Sequence, residues 1–222
     1  MNFGALLWWY LGNARDYAAQ MLPCMCAGMA VYALTLPVRR RRLDRLGLVS
    51  PRRRELALLL FVMFAAGLAA LTLFPAGFWR RAHWLAALRG ERPLFPRWAD
   101  IHRILQLVPL REIRRAVRGP WVMFLVVANV VIFLPVGFFP ALLGRRPRWW
   151  KALATGLIAS GTIETIQYFI GRSADVDDVL LNTAGVLGGY GLFCLARALF
   201  PRLIAGFQCQ TRGDDNGLSH GN

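Results

Sequence analysis

The chain has 222 residues, of which 56% are hydrophobic, and its formal net charge is +15. Apolar runs of about twenty residues exclude a soluble globular domain and predict an integral membrane protein. The positive charge comes from arginine clusters beside those runs, and no base-reading motif is present. We therefore expect membrane lipids, and no nucleic acid, among its partners.

The first half of the chain predicts two membrane spans. A short aromatic segment precedes the first span, which covers about residues 17–38. Eight arginines follow within residues 39–54, and the second span covers about residues 55–75. Prolines lie near the ends of both spans, where they interrupt a helix least.

A long loop at residues 76–119 follows the second span. Apolar side chains recur in it at helical spacing from Trp98 to Val108 and again from Leu110 to Val117. Arginines lie opposite the second run, so the loop predicts one or two amphipathic helices lying flat on the membrane.

The second half predicts three more spans, at about residues 120–143, 152–170 and 178–200. A basic loop at 144–151 separates the first two of these spans, and an acidic connector at 171–177 separates the last two. The predicted fold class is all-α, a polytopic transmembrane helical bundle of about five spans plus an amphipathic surface helix in the outer loop.

Three regions follow from this division. They are an N-terminal span with an arginine-rich cytoplasmic loop (1–53), a membrane domain (54–200) and a disordered tail (201–222). Short loops rich in Arg and Lys stay on the cytoplasmic side, and the richest are 39–54 and 144–151. With five spans this predicts an outer N-terminus, a cytoplasmic C-terminus and an outward-facing connector.

Polar residues on the last two spans are spaced so that each span carries one polar stripe. Glu164 follows Ser160 by four residues on the fourth span, and Asn182 follows Asp178 by four on the fifth. We expect the stripes to face each other and to form an outward-opening pocket. The predicted lining is Asn129, Ser160, Glu164, Gln167 and Asn182, with Arg172, Asp175, Asp177 and Asp178 at the mouth.

Glu164 is the main candidate for chemistry. A charged side chain deep in a bilayer costs about 3 kcal/mol, so intramembrane carboxylates are functional candidates. We predict that Glu164 acts as a general base, with Asp177 and Asp178 as further catalytic candidates. In the alternative interpretation, Glu164 only bonds to Ser160, Asn182 or Asn129 and holds the helices together.

The acidic connector predicts a second kind of site. Asp175, Asp177 and Asp178 carry the oxygen ligands that a divalent cation prefers, which makes such a cation the candidate cofactor. In the alternative, Asp177 or Asp178 caps the fifth span and Arg172 pairs with one of them.

A glycine motif lies further along the fifth span. Gly185 and Gly189 form a G-x-x-x-G pattern, which lets helix backbones approach closely in a membrane. We expect this motif to pack against the fourth span.

The chain resembles the VanZ-like proteins, a family named for a teicoplanin-resistance determinant. The resemblance depends on segments in the family's order: Leu71–Pro75, Leu107–Leu110, Asn129–Phe138, Ser160–Gln167 and Gly171–Gly185. Gln106 and Leu110 replace an amide and an aromatic residue that the family more often has, which puts a ligand contact by that loop in doubt. The resemblance implies a bacterial inner-membrane protein of the cell envelope, with a link to glycopeptide resistance.

These observations leave several functions open. In the first hypothesis the pocket binds an envelope lipid, a peptidoglycan precursor or a glycopeptide, and a hydrolytic or transfer step follows. In the second, the protein is a non-catalytic membrane scaffold. A small transporter is disfavoured because the five predicted spans show no internal repeat.

Overall fold

The computed structural model describes residues 3–74, 78–95, 105–116, 120–170 and 172–211. Most of the described chain is helical and almost none of it is sheet, which confirms the all-α fold class. The helices are α1 (Phe3–Arg45), α2 (Arg52–Leu73), α3 (Arg81–Leu88), α4 (Arg111–Ala116), α5 (Pro120–Leu143), α6 (Trp149–Phe169), α7 (Val176–Leu199) and α8 (Pro201–Ala205). Four two-residue strands accompany them: β1 (Leu48–Val49), β2 (Leu105–Gln106), β3 (Ala174–Asp175) and β4 (Gln210–Thr211).

Among the described residues, four helices are long and apolar enough to cross a membrane. They lie at Ala18–Arg45, Arg52–Leu73, Val122–Leu143 and Val176–Leu199. Helix α6 is nearly as long as the shortest of these, with 21 residues, but serine, threonine, glutamine and glutamate side chains lower its hydropathy. The structure therefore supports a multi-pass membrane protein, and four candidate spans where about five were predicted.

Helix α7 packs closely against α5 through glycines on both helices. A Cβ atom added to Gly189 would lie 1.9 Å from the backbone oxygen of Leu134, and one added to Gly137 would lie 1.9 Å from that of Val186. Gly185 meets the backbone of Val130 in the same way. The expected packing of the G-x-x-x-G motif against the fourth span is therefore wrong, because both of its glycines contact the third.

Helix α6 packs on α7 through a different small residue. A Cβ at Gly156 would lie 3.0 Å from the Cα atom of Thr183. Gly156 precedes Ser160 by four residues, so the polar stripe of α6 begins with a glycine. Helix α7 thus lies between α5 and α6 as their shared partner.

The strands tie loops together at opposite ends of the helices. At one end, which we call the connector end, β2 pairs in parallel with β3 and matches Gln106 with Asp175. At the other, the arginine end, β1 pairs antiparallel with β4, beside the basic α1–α2 and α5–α6 turns. Helix α8 and strand β4 lie within the segment from residue 201 that was predicted as a disordered tail, and residues 212–222 lie outside the described chain.

The long loop also differs from its prediction. Helix α3 occupies a segment where no helix was predicted, and α4 is only six residues long. Leu105 belongs to β2, so the helical run predicted from Trp98 to Val108 is wrong at its C-terminal end. The rest of that run, including Trp98, lies outside the described residues, as does Val117.

Candidate functional site

Glu164 lies inside the protein, near the C-terminal end of α6. Its side chain is buried, with 7% exposed. The Oε2 atom accepts a hydrogen bond of 2.9 Å from the backbone N–H of Asp175 in β3. The carboxylate therefore holds the connector against α6 and faces protein instead of lipid.

The start of α7 is capped by Asp175. Its Oδ1 atom accepts a 2.8 Å hydrogen bond from the backbone N–H of Asp177, which is the geometry of a helix N-cap. The sequence interpretation that gave this cap to Asp177 or Asp178 is wrong. Asp175 has the extended backbone that an N-cap requires, whereas Asp177 and Asp178 already belong to the helix.

The carboxylates of Asp177 and Asp178 accept hydrogen bonds from residues outside the connector. Asp177 has no exposed surface, and its Oδ1 atom accepts a hydrogen bond from the backbone N–H of Leu110. Leu110 has a φ of 64°, which is uncommon for a residue with a side chain. Asp178 accepts a hydrogen bond from the side-chain amide of Asn129 on α5.

The three carboxylates that were predicted to bind a metal ion all form hydrogen bonds within the protein. Asp175, Asp177 and Asp178 each use one oxygen atom for a different protein partner. No group of three or more His, Cys, Asp or Glu side chains that could hold a metal ion is found in the described chain. The catalytic roles of Glu164, Asp177 and Asp178 stay predictions.

Ser160 and Asn182 connect α6 to α7 one turn deeper. The Nδ2 atom of Asn182 donates a 2.9 Å hydrogen bond to the Oγ atom of Ser160, and both side chains are buried. The Oδ1 atom of Asn182 is buried without a hydrogen-bond partner among the described residues, and so is the Oγ1 atom of Thr183. Thr183 was missed by sequence reasoning, although it directly follows Asn182.

Gln167 and Arg172 donate hydrogen bonds to backbone oxygens at the C-terminal end of α2. Gln167 donates a 3.0 Å hydrogen bond to the backbone oxygen of Thr72. Arg172 donates to the same oxygen at 2.8 Å and to that of Leu71 at 3.2 Å. Both side chains therefore hold α2 against α6, which favours the packing role for Gln167.

Gln106 is a second residue that sequence reasoning undervalued. It is buried, and both the nitrogen and the oxygen of its side-chain amide form hydrogen bonds with the backbone of Val108. Nε2 donates to the oxygen of Val108 at 2.6 Å, and Oε1 accepts from the N–H of Val108 at 2.9 Å. The residue at the family's amide position thus shapes the loop that Asp177 holds.

The model of the VanZ/LLP1 family matches residues 58–197, which is more than half of the chain. The chain belongs to the VanZ/LLP1 family. A comparison with curated proteins and one with solved structures found no match.

The VanZ/LLP1 match contains the whole connector-end site. Every predicted site residue, from Asn129 to Asn182, lies within it, as do helices α3 to α6. Helix α1 and the arginine-rich segment 39–54 lie outside. The site is therefore built entirely by the part of the chain that defines the family.

Proposed function

We propose that this VanZ/LLP1 protein binds a hydrogen-donating headgroup of an envelope lipid or a peptidoglycan-related molecule at its connector end. The observation that carries the proposal is the buried carboxylate of Glu164 on α6. Helix α7 packs on α5 and α6 through glycines, and the Glu164 carboxylate is not part of those glycine contacts. A buried carboxylate outside them, at a cost of about 3 kcal/mol, suggests binding.

The chemistry of the connector end favours a ligand that donates hydrogen bonds. A carboxylate accepts about four, and the described bond from Asp175 to Glu164 uses one. The buried Oδ1 atom of Asn182 is a further acceptor. Hydroxyl and ammonium groups fit such acceptors, whereas a phosphate would be repelled by the carboxylates around them.

We infer that α6 also crosses the membrane, which brings the number of spans from four to five. Its acidic and amide side chains, Glu164 and Gln167, face the protein, and its exposed threonines bond to their own helix. Thr162, for example, donates a 2.7 Å hydrogen bond to the oxygen of Ile158. The surface of α6 that faces lipid is thereby left with apolar side chains such as Ile158 and Phe169.

Five spans lead to the orientation that we propose. The arginine end faces the cytoplasm of a bacterial inner membrane, because short basic loops are retained there. The connector end then faces outward, with an outer N-terminus and a cytoplasmic C-terminus. In this orientation the site meets the outer leaflet, where envelope headgroups are available.

A matched pair of lipids tests the proposed chemistry. Phosphatidylethanolamine and phosphatidylcholine have the same net charge, but only the ethanolamine headgroup donates hydrogen bonds. We expect native mass spectrometry of the detergent-solubilised protein to show more bound phosphatidylethanolamine than phosphatidylcholine. Glu164→Gln, which removes the charge and keeps the shape, is expected to abolish the preference.

Glu55→Gln is the matched control, because it removes one carboxylate at the arginine end. Glu55 accepts hydrogen bonds from Tyr32, Arg39 and Ser50, so this variant is expected to lower thermal stability and to keep the lipid preference. Equal binding of both lipids to the unmodified protein would reject an ammonium headgroup. The same comparison with a diglucosyl lipid then tests a hydroxyl headgroup.

A scaffold without a ligand is the second candidate. It is favoured by the protein partners of Glu164, Asp177 and Asp178, all of which tie loops and helices together. A scaffold predicts that Glu164→Gln lowers the melting temperature while lipid binding is unchanged. Glu164→Gln therefore separates the two candidates. It changes the lipid preference if the protein binds a headgroup, and it changes only the melting temperature if the protein is a scaffold.

The family's link to teicoplanin resistance gives a cellular test. If headgroup binding serves resistance, expression of the chain raises the teicoplanin concentration that a sensitive bacterium tolerates. Glu164→Gln then removes that increase at an equal amount of protein in the membrane. An unchanged tolerance with the unmodified chain would separate this protein from glycopeptide resistance.

A further inference from the structure

A second site is suggested by a cavity of about 220 Å³ at the arginine end, far along the helices from Glu164. It lies between α5 and α6, and Tyr190 of α7 contributes to its wall. Several of the residues that line it from both helices are small, including Ala141, Ala152 and Thr155. The cavity exists because these residues leave space between the end of α5 and the start of α6.

The rim of this cavity is strongly basic. Four of the residues that line it are Arg145, Arg146, Arg148 and Lys151, and no acidic side chain is among the described residues around it. The first turn of α6 opens beside the same rim and contains no acidic residue either. The rest of the lining is mostly apolar and includes Val136, which makes the site amphipathic.

We propose that this cavity binds the phosphate of an anionic phospholipid headgroup. Arginine guanidinium groups bind phosphate oxygens through paired N–H donors, and three arginines converge here. The volume is smaller than the roughly 300 Å³ of the smallest drug-sized pockets, so it suits a headgroup and leaves the acyl chains in the bilayer. The proposal does not depend on the proposed function, because no residue is shared with the connector end.

Charge selectivity is the first test. Binding of dioctanoyl-phosphatidylglycerol and dioctanoyl-phosphatidylcholine is measured with the full chain in detergent. We expect an apparent Kd at least about tenfold lower for the anionic lipid, since each basic side chain near a headgroup adds attraction. The selectivity is expected to fall as salt is added, because the four basic side chains are exposed. Equal affinity for the two lipids would overturn the proposal.

A pair of triple variants separates this site from general surface charge. Arg145→Gln/Arg146→Gln/Arg148→Gln removes three charges from the cavity rim, and we expect the preference for the anionic lipid to be lost. Arg40→Gln/Arg41→Gln/Arg42→Gln removes three exposed charges from α1 and is expected to change the affinity by less than about twofold. If both variants weaken binding equally, the attraction is not specific to the cavity and the proposal fails.

A cavity-filling variant tests the shape without changing the charge. Thr155→Trp places a large side chain in the space while all four basic residues remain. We expect anionic lipid binding to be lost although the net charge is the same. Retained binding by a folded Thr155→Trp protein would reject the cavity as the site, and if this variant does not fold, the two triple variants decide.

Competition identifies the source of the phosphate. Soluble sn-glycerol 1-phosphate presents the phosphate and glycerol of the headgroup, as a phosphomonoester without acyl chains. Displacement of the anionic lipid at millimolar concentration supports a site for phosphate in general. No displacement supports a site that requires the membrane-embedded lipid, which is the source we expect.

Discussion

Two arginine side chains cap the C-terminal ends of membrane helices. Arg172 donates to the carbonyl groups of Leu71 and Thr72 at the end of α2. Arg54 donates at 2.7 Å to the oxygen of Leu143, the last residue of α5. The last carbonyls of a helix have no partner within the helix and carry partial negative charge, so a cation satisfies both needs.

We predict that Arg172→Gln destabilises the protein without changing its orientation. Hydrogen bonds from a charged donor contribute about 1.5–3 kcal/mol, so the melting temperature in detergent is expected to fall by several degrees. Arg111→Gln is the control, since Arg111 is exposed on α4 and the same charge is removed. Equal melting temperatures for the two variants would show that the carbonyl contacts of Arg172 contribute nothing measurable.

At the scale of elements, the α5–α7 contact depends on the absence of side chains. Gly137 and Gly189 each allow a backbone carbonyl of the other helix to approach to a distance at which no Cβ fits. Small residues have this role in membranes because lipid tails supply no hydrophobic force that drives helices together. The dispersion contacts of closely packed backbones replace that force.

We predict that Gly189→Ala destabilises the protein, because its Cβ would meet a backbone oxygen that cannot move aside alone. Overpacking of this kind costs about 1–3 kcal/mol, which a thermal melt in detergent detects. Gly191→Ala on the same helix is the matched control, since nothing lies within 4 Å of its added Cβ. It is expected to be neutral or stabilising because alanine favours a helix over glycine. A Gly189→Ala protein as stable as the control would refute the close α5–α7 contact.

At the scale of the whole molecule, the candidate sites at the two ends differ in charge. The site at the connector end includes the carboxylates of Glu164, Asp175, Asp177 and Asp178, whereas basic side chains line the cavity at the arginine end. Two kinds of headgroup are therefore expected at opposite membrane surfaces, a hydrogen donor at one and a phosphate at the other. Which end faces the cytoplasm decides which leaflet supplies each ligand.

We predict the orientation from single cysteines labelled with a membrane-impermeant maleimide, in a chain whose Cys24, Cys26 and Cys194 are replaced by alanine. Ser173→Cys, in a variant with Cys209→Ser, is expected to react in intact spheroplasts. Native Cys209 is expected to react only after lysis, since it lies at the arginine end. Arg146→Cys, also with Cys209→Ser, is expected to behave like native Cys209. If Arg146→Cys and Ser173→Cys react from the same side, α6 does not span the membrane.

The sequence predicted the helices better than the loops. Spans at 55–75 and 178–200 match α2 and α7 closely, because a bilayer selects long apolar runs whatever their neighbours are. The loop carrying Leu105 was predicted as helix but forms a strand, since its partner β3 lies about seventy residues away in sequence. Hydrophobic periodicity contains no information about such distant pairing.

The polar stripe of α6 was predictable, but its partners were not. Spacing placed Ser160 and Glu164 on one face, and both are buried as expected. That Glu164 would bond to the backbone N–H of Asp175, and that Asp177 would bond to that of Leu110, could not be read from residue types. Backbone donors are the same at every position, so only the folded chain selects one.

The amino-acid sequence by itself determined that this is a helical membrane protein, and its ordered motifs indicated the VanZ-like family before any coordinates. Both properties depend only on residue type and on spacing along the chain. Insertion into a bilayer requires long apolar runs, and a family motif is a local order of residues, so neither needs knowledge of distant contacts. Only the tertiary structure decided that glycines of α7 meet α5, that Arg172 and Gln167 serve α2, and that a basic cavity opens between α5 and α6. These features depend on which surfaces meet in three dimensions, and several surfaces of similar composition compete for each contact.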